Sequence, residues 1–138
     1  MNFNKPVLAV TMGDPAGIGP EIAVKVFSTK ALYDICAPLL IGNGMVIRQI
    51  LEITGIGLSV RKVNGADDAG FLQGVIDLVE VPADHPGSFP FGEVSGPAGD
   101  LAFRIIQKAI GMAQSGEVQG VVTGPIHKEA IRKAGYPF

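Results

Sequence analysis

The 138 residues are 47% apolar and 17% charged, enough for one folded domain with a core of its own and too apolar for a disordered chain. A formal net charge of −2, with eleven Lys and Arg scattered along the sequence, supplies no basic field for a nucleic-acid backbone. The single cysteine, Cys36, excludes an internal disulfide and fits a reducing, cytoplasmic setting, and no apolar run reaches the about eighteen residues of a membrane span.

Val7 to Thr11 reads as a buried first strand, a short β-branched run bounded by Pro6 and Gly13. A glycine- and proline-rich loop follows, and Pro20 opens an amphipathic helix through Glu21 to Lys30. In that helix Ile22, Ala23 and Val26 are expected to face a sheet.

Pro38 to Gly42 predicts a second strand, and Met45 to Thr54 a helix that Gly55 stops. Leu58 to Val63 is a third strand. Between Asn64 and Pro97 only Ile76 to Val81 reads clearly as a strand, and the rest resembles a projecting loop or hairpin. Gly96-Pro97 then opens the longest helix, Ala98 to Gln114, with an apolar stripe through Leu101, Ile105, Ala109 and Met112, closed by Gly116. Val118 to Thr123 predicts another buried strand, and Gly124-Pro125 leads into a helix from Ile126 to Ala134. Strands alternating with helices of this length predict an α/β protein, a parallel or mixed sheet with helical crossovers. Residues 1–138 show no internal repeat or domain linker.

Two strand ends share one design: strand, threonine, glycine, proline, helix. In the first, Thr11 to Glu21, glycines 13, 17 and 19 match neither GxGxxG nor the phosphate loop GxxxxGK[ST]. Gly13, Asp14, Gly17 and Gly19 are read as a loop lining a cleft, with a tight turn and helix cap without a ligand as the alternative. Asp14 is an acceptor for a ligand hydroxyl or a turn residue.

In the second, Thr123-Gly124-Pro125-Ile126-His127-Lys128, the lysine stands at a helix start, against the helix dipole. It holds an anion, polarises a hydroxyl being oxidised, or is a solvated surface lysine. Loops at the carboxyl ends of parallel strands gather on one ligand-binding edge, so both loops face one cleft if their strands are near neighbours. His85 and His127, with no HxH or HExxH spacing, give no metal site.

Thr11-Met12-Gly13-Asp14-Pro15-Ala16-Gly17-Ile18-Gly19-Pro20-Glu21, Thr123-Gly124-Pro125-Ile126-His127-Lys128 and Ala134-Gly135-Tyr136-Pro137-Phe138 together resemble the 4-hydroxythreonine-4-phosphate dehydrogenase family of pyridoxal phosphate biosynthesis. The resemblance runs the length of the chain. It implies a fold similar to isocitrate and isopropylmalate dehydrogenases, two α/β lobes around a cleft, in a homodimer. It implies NAD, a divalent metal cation and a small phosphorylated substrate: oxidation of 4-phosphooxy-threonine, then loss of carbon dioxide to give 3-amino-2-oxopropyl phosphate. Relatives acting on 4-phosphothreonate, 4-phosphoerythronate or an aromatic cis-dihydrodiol share these motifs. A non-catalytic anion-binding module is the rival from another class.

Family members continue after the Gly-x-Pro-Phe segment with Gly-His-Thr, whereas this sequence stops at Phe138. The resemblance therefore implies an incomplete N-terminal portion, inactive alone and with exposed apolar surface, whose metal ligands lie outside the chain. Thr123, Gly124, Pro125 and Lys128 carry over as substrate-binding residues, with Lys128 the candidate for a catalytic contact.

Overall fold

A computed structural model describes residues 5–84 and 89–137. Five strands, β1 (Val7–Thr11), β2 (Ala37–Gly42), β3 (Ser59–Lys62), β4 (Val75–Glu80) and β5 (Gly120–Val122), form one sheet in the order β3-β4-β2-β1-β5. Every pairing among them is parallel. The helices are α1 (Gly19–Phe27), α2 (Lys30–Ile35), α3 (Gly44–Thr54), α4 (Gly96–Gln114) and α5 (Lys128–Lys133).

Successive side chains on a strand point to opposite faces. All six residues of β2 are buried, so the middle of the sheet is covered on both sides. Its Leu39, Leu40 and Ile41 join Phe27 of α1, Ile47 of α3 and Leu101 and Ile105 of α4 in one core. The stripe expected on α4 is buried throughout, and Ser95 caps the helix by accepting from the Ala98 N–H at 3.2 Å.

Four sequence expectations change. The stretch from Glu21 to Lys30 is not one helix, because the hydroxyls of Ser28 and Thr29 bond back to the carbonyls of Lys25 and Val26 at 2.6 and 2.7 Å. Those bonds offer the backbone an alternative to another helical turn, and α2 starts afresh at Lys30. The buried face of α1 is Pro20, Ala23, Val24 and Phe27, while Ile22 and Val26 are 41% and 39% exposed. Phe27, the largest apolar side chain of the helix, lies on the face that reaches the core.

The strand expected at Val118 to Thr123 is only Gly120–Val122, and it lies at the sheet edge with Val122 half exposed. Between Asn64 and Pro97, β4 lies inside the sheet between β3 and β2. The β3–β4 crossover is made through a 3-10 turn at Ala66–Asp68 in place of a helix, and the buried Asp77 pins it by accepting from the Phe71 N–H at 2.8 Å. Phe71 there has φ 52°, a conformation disfavoured for a bulky side chain. His85 lies outside the described residues. No helix among the described residues is long and apolar enough to cross a membrane.

Candidate functional site

Because all strands run the same way, the segments following β1, β2, β4 and β5 emerge on one edge of the sheet. β1 and β5 are direct neighbours, with Leu8 opposite Gly120 and Val10 opposite Val122. The two motif loops therefore meet.

Their junction is backbone against backbone. The Gly124 N–H donates to the carbonyl and the hydroxyl oxygens of the buried Thr11, at 3.1 and 3.0 Å. The Asp14 N–H donates to the Pro125 carbonyl at 3.0 Å. Gly13 has φ 77°, and a methyl group on it would run into the Pro125 carbonyl oxygen. A methyl on Gly19 would strike the Met12 carbonyl, and one on Gly124 would lie 2.8 Å from the Thr11 carbonyl. These three glycines are required by the close approach of the chain to itself. Gly17 has no such constraint and faces open space beside Asp14.

Asp14 does the work of a turn residue: its Oδ1 accepts from the Ala16 N–H at 2.8 Å and its carbonyl from the Gly17 N–H at 3.0 Å. The side-chain bond engages Oδ1. The residue is 5% exposed. Burial raises its carboxyl above the ordinary value of 3.8, opposed by the Ala16 N–H and by the nearby His127.

A cavity of about 210 Å³ opens between the two loops and a third wall, Gly92 to Val94. The Gly92 N–H donates to the Ala16 carbonyl at 2.7 Å and joins that wall to the first loop. Asp14, Gly17, Pro125 and His127 line the cavity together with Glu93 and the apolar Ile18, Val94 and Ile126. Gly13, Gly19 and Gly124 stand behind the lining as its frame. Thr123 is exposed after β5, and Lys128 begins α5 next to the cavity's His127.

Sequence reasoning gave little weight to His127 and did not find Glu93. The first had a signal, its place between the Thr-Gly-Pro segment and α5. The second had none, because residues 92–94 reach the site only through tertiary folding. Among the described residues, no group of three or more His, Cys, Asp or Glu comes together to hold a metal.

The two glycine-rich loops are joined at the carboxyl ends of adjacent strands of a parallel α/β sheet, beside a cavity, at the edge where proteins of this class bind ligands. Residues 34–138 match the family described as pyridoxal phosphate biosynthetic protein PdxA, and the chain belongs to that family. It is 40% identical over 134 residues to a protein of Symbiobacterium thermophilum provisionally named D-threonate 4-phosphate dehydrogenase, covering 97% of this chain and 40% of the relative. A Clostridium botulinum protein given the same provisional name is 38% identical over 135 residues, with 98% and 40% covered.

The solved structure of a 4-hydroxythreonine-4-phosphate dehydrogenase from Burkholderia phymatum superposes with a TM-score of 0.92 at 37% identity, over 99% of this chain and 42% of that one. A Klebsiella pneumoniae enzyme of the same name gives 0.92 at 36% identity, over 100% and 42%. The fold is thus that of these isocitrate dehydrogenase-like enzymes, and the chain spans about 40% of the length of the curated relatives it matches.

Proposed function

We propose that this chain forms the substrate-side loops of an NAD-dependent oxidoreductase acting on a small phosphorylated hydroxy acid. The observation that carries the reading is the pairing of β1 with β5, which joins both motif loops at one cavity. Thr123, Gly124 and Pro125 shape the entry to α5, and Lys128 at its start supplies a cation for the substrate's phosphate or carboxylate. Gly13, Asp14, Gly17 and Gly19 hold the opposing wall. In the complete enzyme, read as a homodimer of the cytoplasm, bound NAD would supply the hydride acceptor for oxidation of the secondary alcohol of 4-phosphooxy-threonine. Loss of carbon dioxide then gives 3-amino-2-oxopropyl phosphate.

The divalent cation expected in such an enzyme does not fit the residues described here, and its ligands are assigned outside this chain. The D-threonate 4-phosphate dehydrogenase names of the relatives favour a second substrate, 4-phosphothreonate, which carries a hydroxyl where 4-phosphooxy-threonine carries an amine.

Calorimetry with each of the two compounds, on the chain and on Lys128→Ala, tests the reading. One or both bind the unaltered chain, and the substitution weakens binding about tenfold, as loss of a charged hydrogen bond does. Neither compound binding, or Lys128→Ala binding equally well, overturns the assignment. Reduction of NAD by this chain alone would overturn the expectation that it is incomplete.

A further inference from the structure

Helix α5 carries Lys128, yet at six residues it is too short to be stable by itself. Its place is set by α4. Ala130 and Ile131 are buried, and α4 comes so close at Gly99 that a methyl there would collide with the Ala130 carbonyl. Packing through small residues sets how near two helices lie but offers few ridges to stop one sliding along the other. Polar contacts beyond the helix remove that freedom. After Gly135, at φ 95°, the chain turns back and Tyr136 lays its ring on Phe103 of α4, the centroids 3.9 Å apart and the planes 7° from parallel. The Tyr136 hydroxyl donates to Asp100 Oδ1 at 2.6 Å. Asp100 Oδ2 accepts from Arg104 Nε at 2.9 Å, and Arg104 Nη1 donates to the Pro82 carbonyl at 2.7 Å, just after β4. One series of bonds thus runs from the end of α5 through α4 to the exit of a central strand. The Asp100 bond is also the largest cause raising the Tyr136 hydroxyl above its ordinary value of 10, so it stays a donor at neutral pH.

We propose that Tyr136, Asp100 and Arg104 are positioning residues: they fix how far α5 lies along α4, and through that helix they set where Lys128 meets the substrate's phosphate or carboxylate. The role given to Lys128 rests on the proposed function; the fixing of α5 rests on the bonds alone. Six helical residues span about 9 Å, so a displacement at Tyr136 reaches His127 and Lys128 almost undiminished.

Tyr136→Phe keeps the ring and its stack and removes one hydroxyl. In the 138-residue chain it is expected to shift the amides of His127, Lys128 and Glu129 in NMR spectra, at the far end of α5. It is also expected to weaken calorimetric binding of 4-phosphothreonate or 4-phosphooxy-threonine, whichever the chain takes, about threefold. Lys128→Ala weakens the same binding about tenfold, and the double variant is no weaker than Lys128→Ala, because a misplaced lysine and an absent one lose the same contact. Independent effects would multiply to about thirtyfold, and a purely stabilising role would leave the affinity of Tyr136→Phe at the parent value; either result overturns the proposal. Arg104→Lys keeps the charge, loses the fork that spans Asp100 and Pro82, and should shift the same three amides. Unmoved amides in both variants overturn the fixing of α5. Shifted amides in a chain that binds neither compound would remove the substrate reading of Lys128 and leave the fixing of α5 standing.

Discussion

The backbone N–H of Asp14 donates to the carbonyl of Pro125 across 3.0 Å, so the residue that builds the first loop's turn also ties that loop to the second. The same side chain lines the cavity and makes the bond that shapes the turn. Loop geometry and cavity wall therefore share one residue, and changes at the junction are felt at the cavity.

Gly13→Ala tests that coupling. The alanine meets both the strain of φ 77° and the Pro125 carbonyl oxygen, and a loss of about 1–3 kcal/mol is expected in urea unfolding. A variant as stable as the parent would mean that the two loops separate without cost.

Asp14→Asn should stabilise the chain increasingly as pH rises. Burial raises the folded carboxyl above 3.8, so folding favours its protonated form. That contribution is full below pH 3.8 and lost as pH rises through the raised folded value. Asparagine keeps an acceptor for the Ala16 N–H and never ionises. The stability difference between variant and parent, followed by thermal melting, grows from acid to neutral pH; a difference independent of pH contradicts the assigned cause.

Tyr33 provides the same logic at the alkaline end. Burial, then the charges of Asp77 and Cys36, push its hydroxyl from 10 to about 12, and the hydroxyl donates to the Val75 carbonyl at 3.3 Å. Its stabilising contribution is complete below pH 10 and lost as pH rises through about 12. Tyr33→Phe should narrow the alkaline loss of stability across that window, and parallel curves for the two proteins would speak against it.

The assignment of the buried face of α1 is tested by paired truncations. Phe27→Ala removes a fully buried ring and should cost about 3–5 kcal/mol, whereas Val26→Ala on the exposed side should stay within about 0.5 kcal/mol. Equal costs in denaturant unfolding would place both residues in the core.

Much of the architecture was legible because local and tertiary preferences agree. The apolar runs of β1 and β2, the stripe of α4 and the stop at Gly55 each carry their own signal. The break at Ser28–Thr29 was not legible, because helix continuation and side-chain back-bonding compete on similar terms. The face of α1 was misread because Ile22 and Val26 are as apolar as the residues that displaced them, and only packing decides. At the site, the strand-loop-helix design brings the motif loops together only if their strands are neighbours, a condition that the β1–β5 pairing supplies. The wall at Gly92 to Val94 was not legible, since no spacing relates it to either motif.

Thr11 and Gly124 bond across a sequence separation of 113 residues. While a ribosome is still making α4, β1 has its β2 side available for pairing but no partner on the other. The junction between the two loops is therefore a late product of folding, whatever the speed of the β1–β2 core, since such distant contacts carry the largest loop-closure cost. A nascent chain released before Gly124 would hold much of the hydrophobic core and none of the junction.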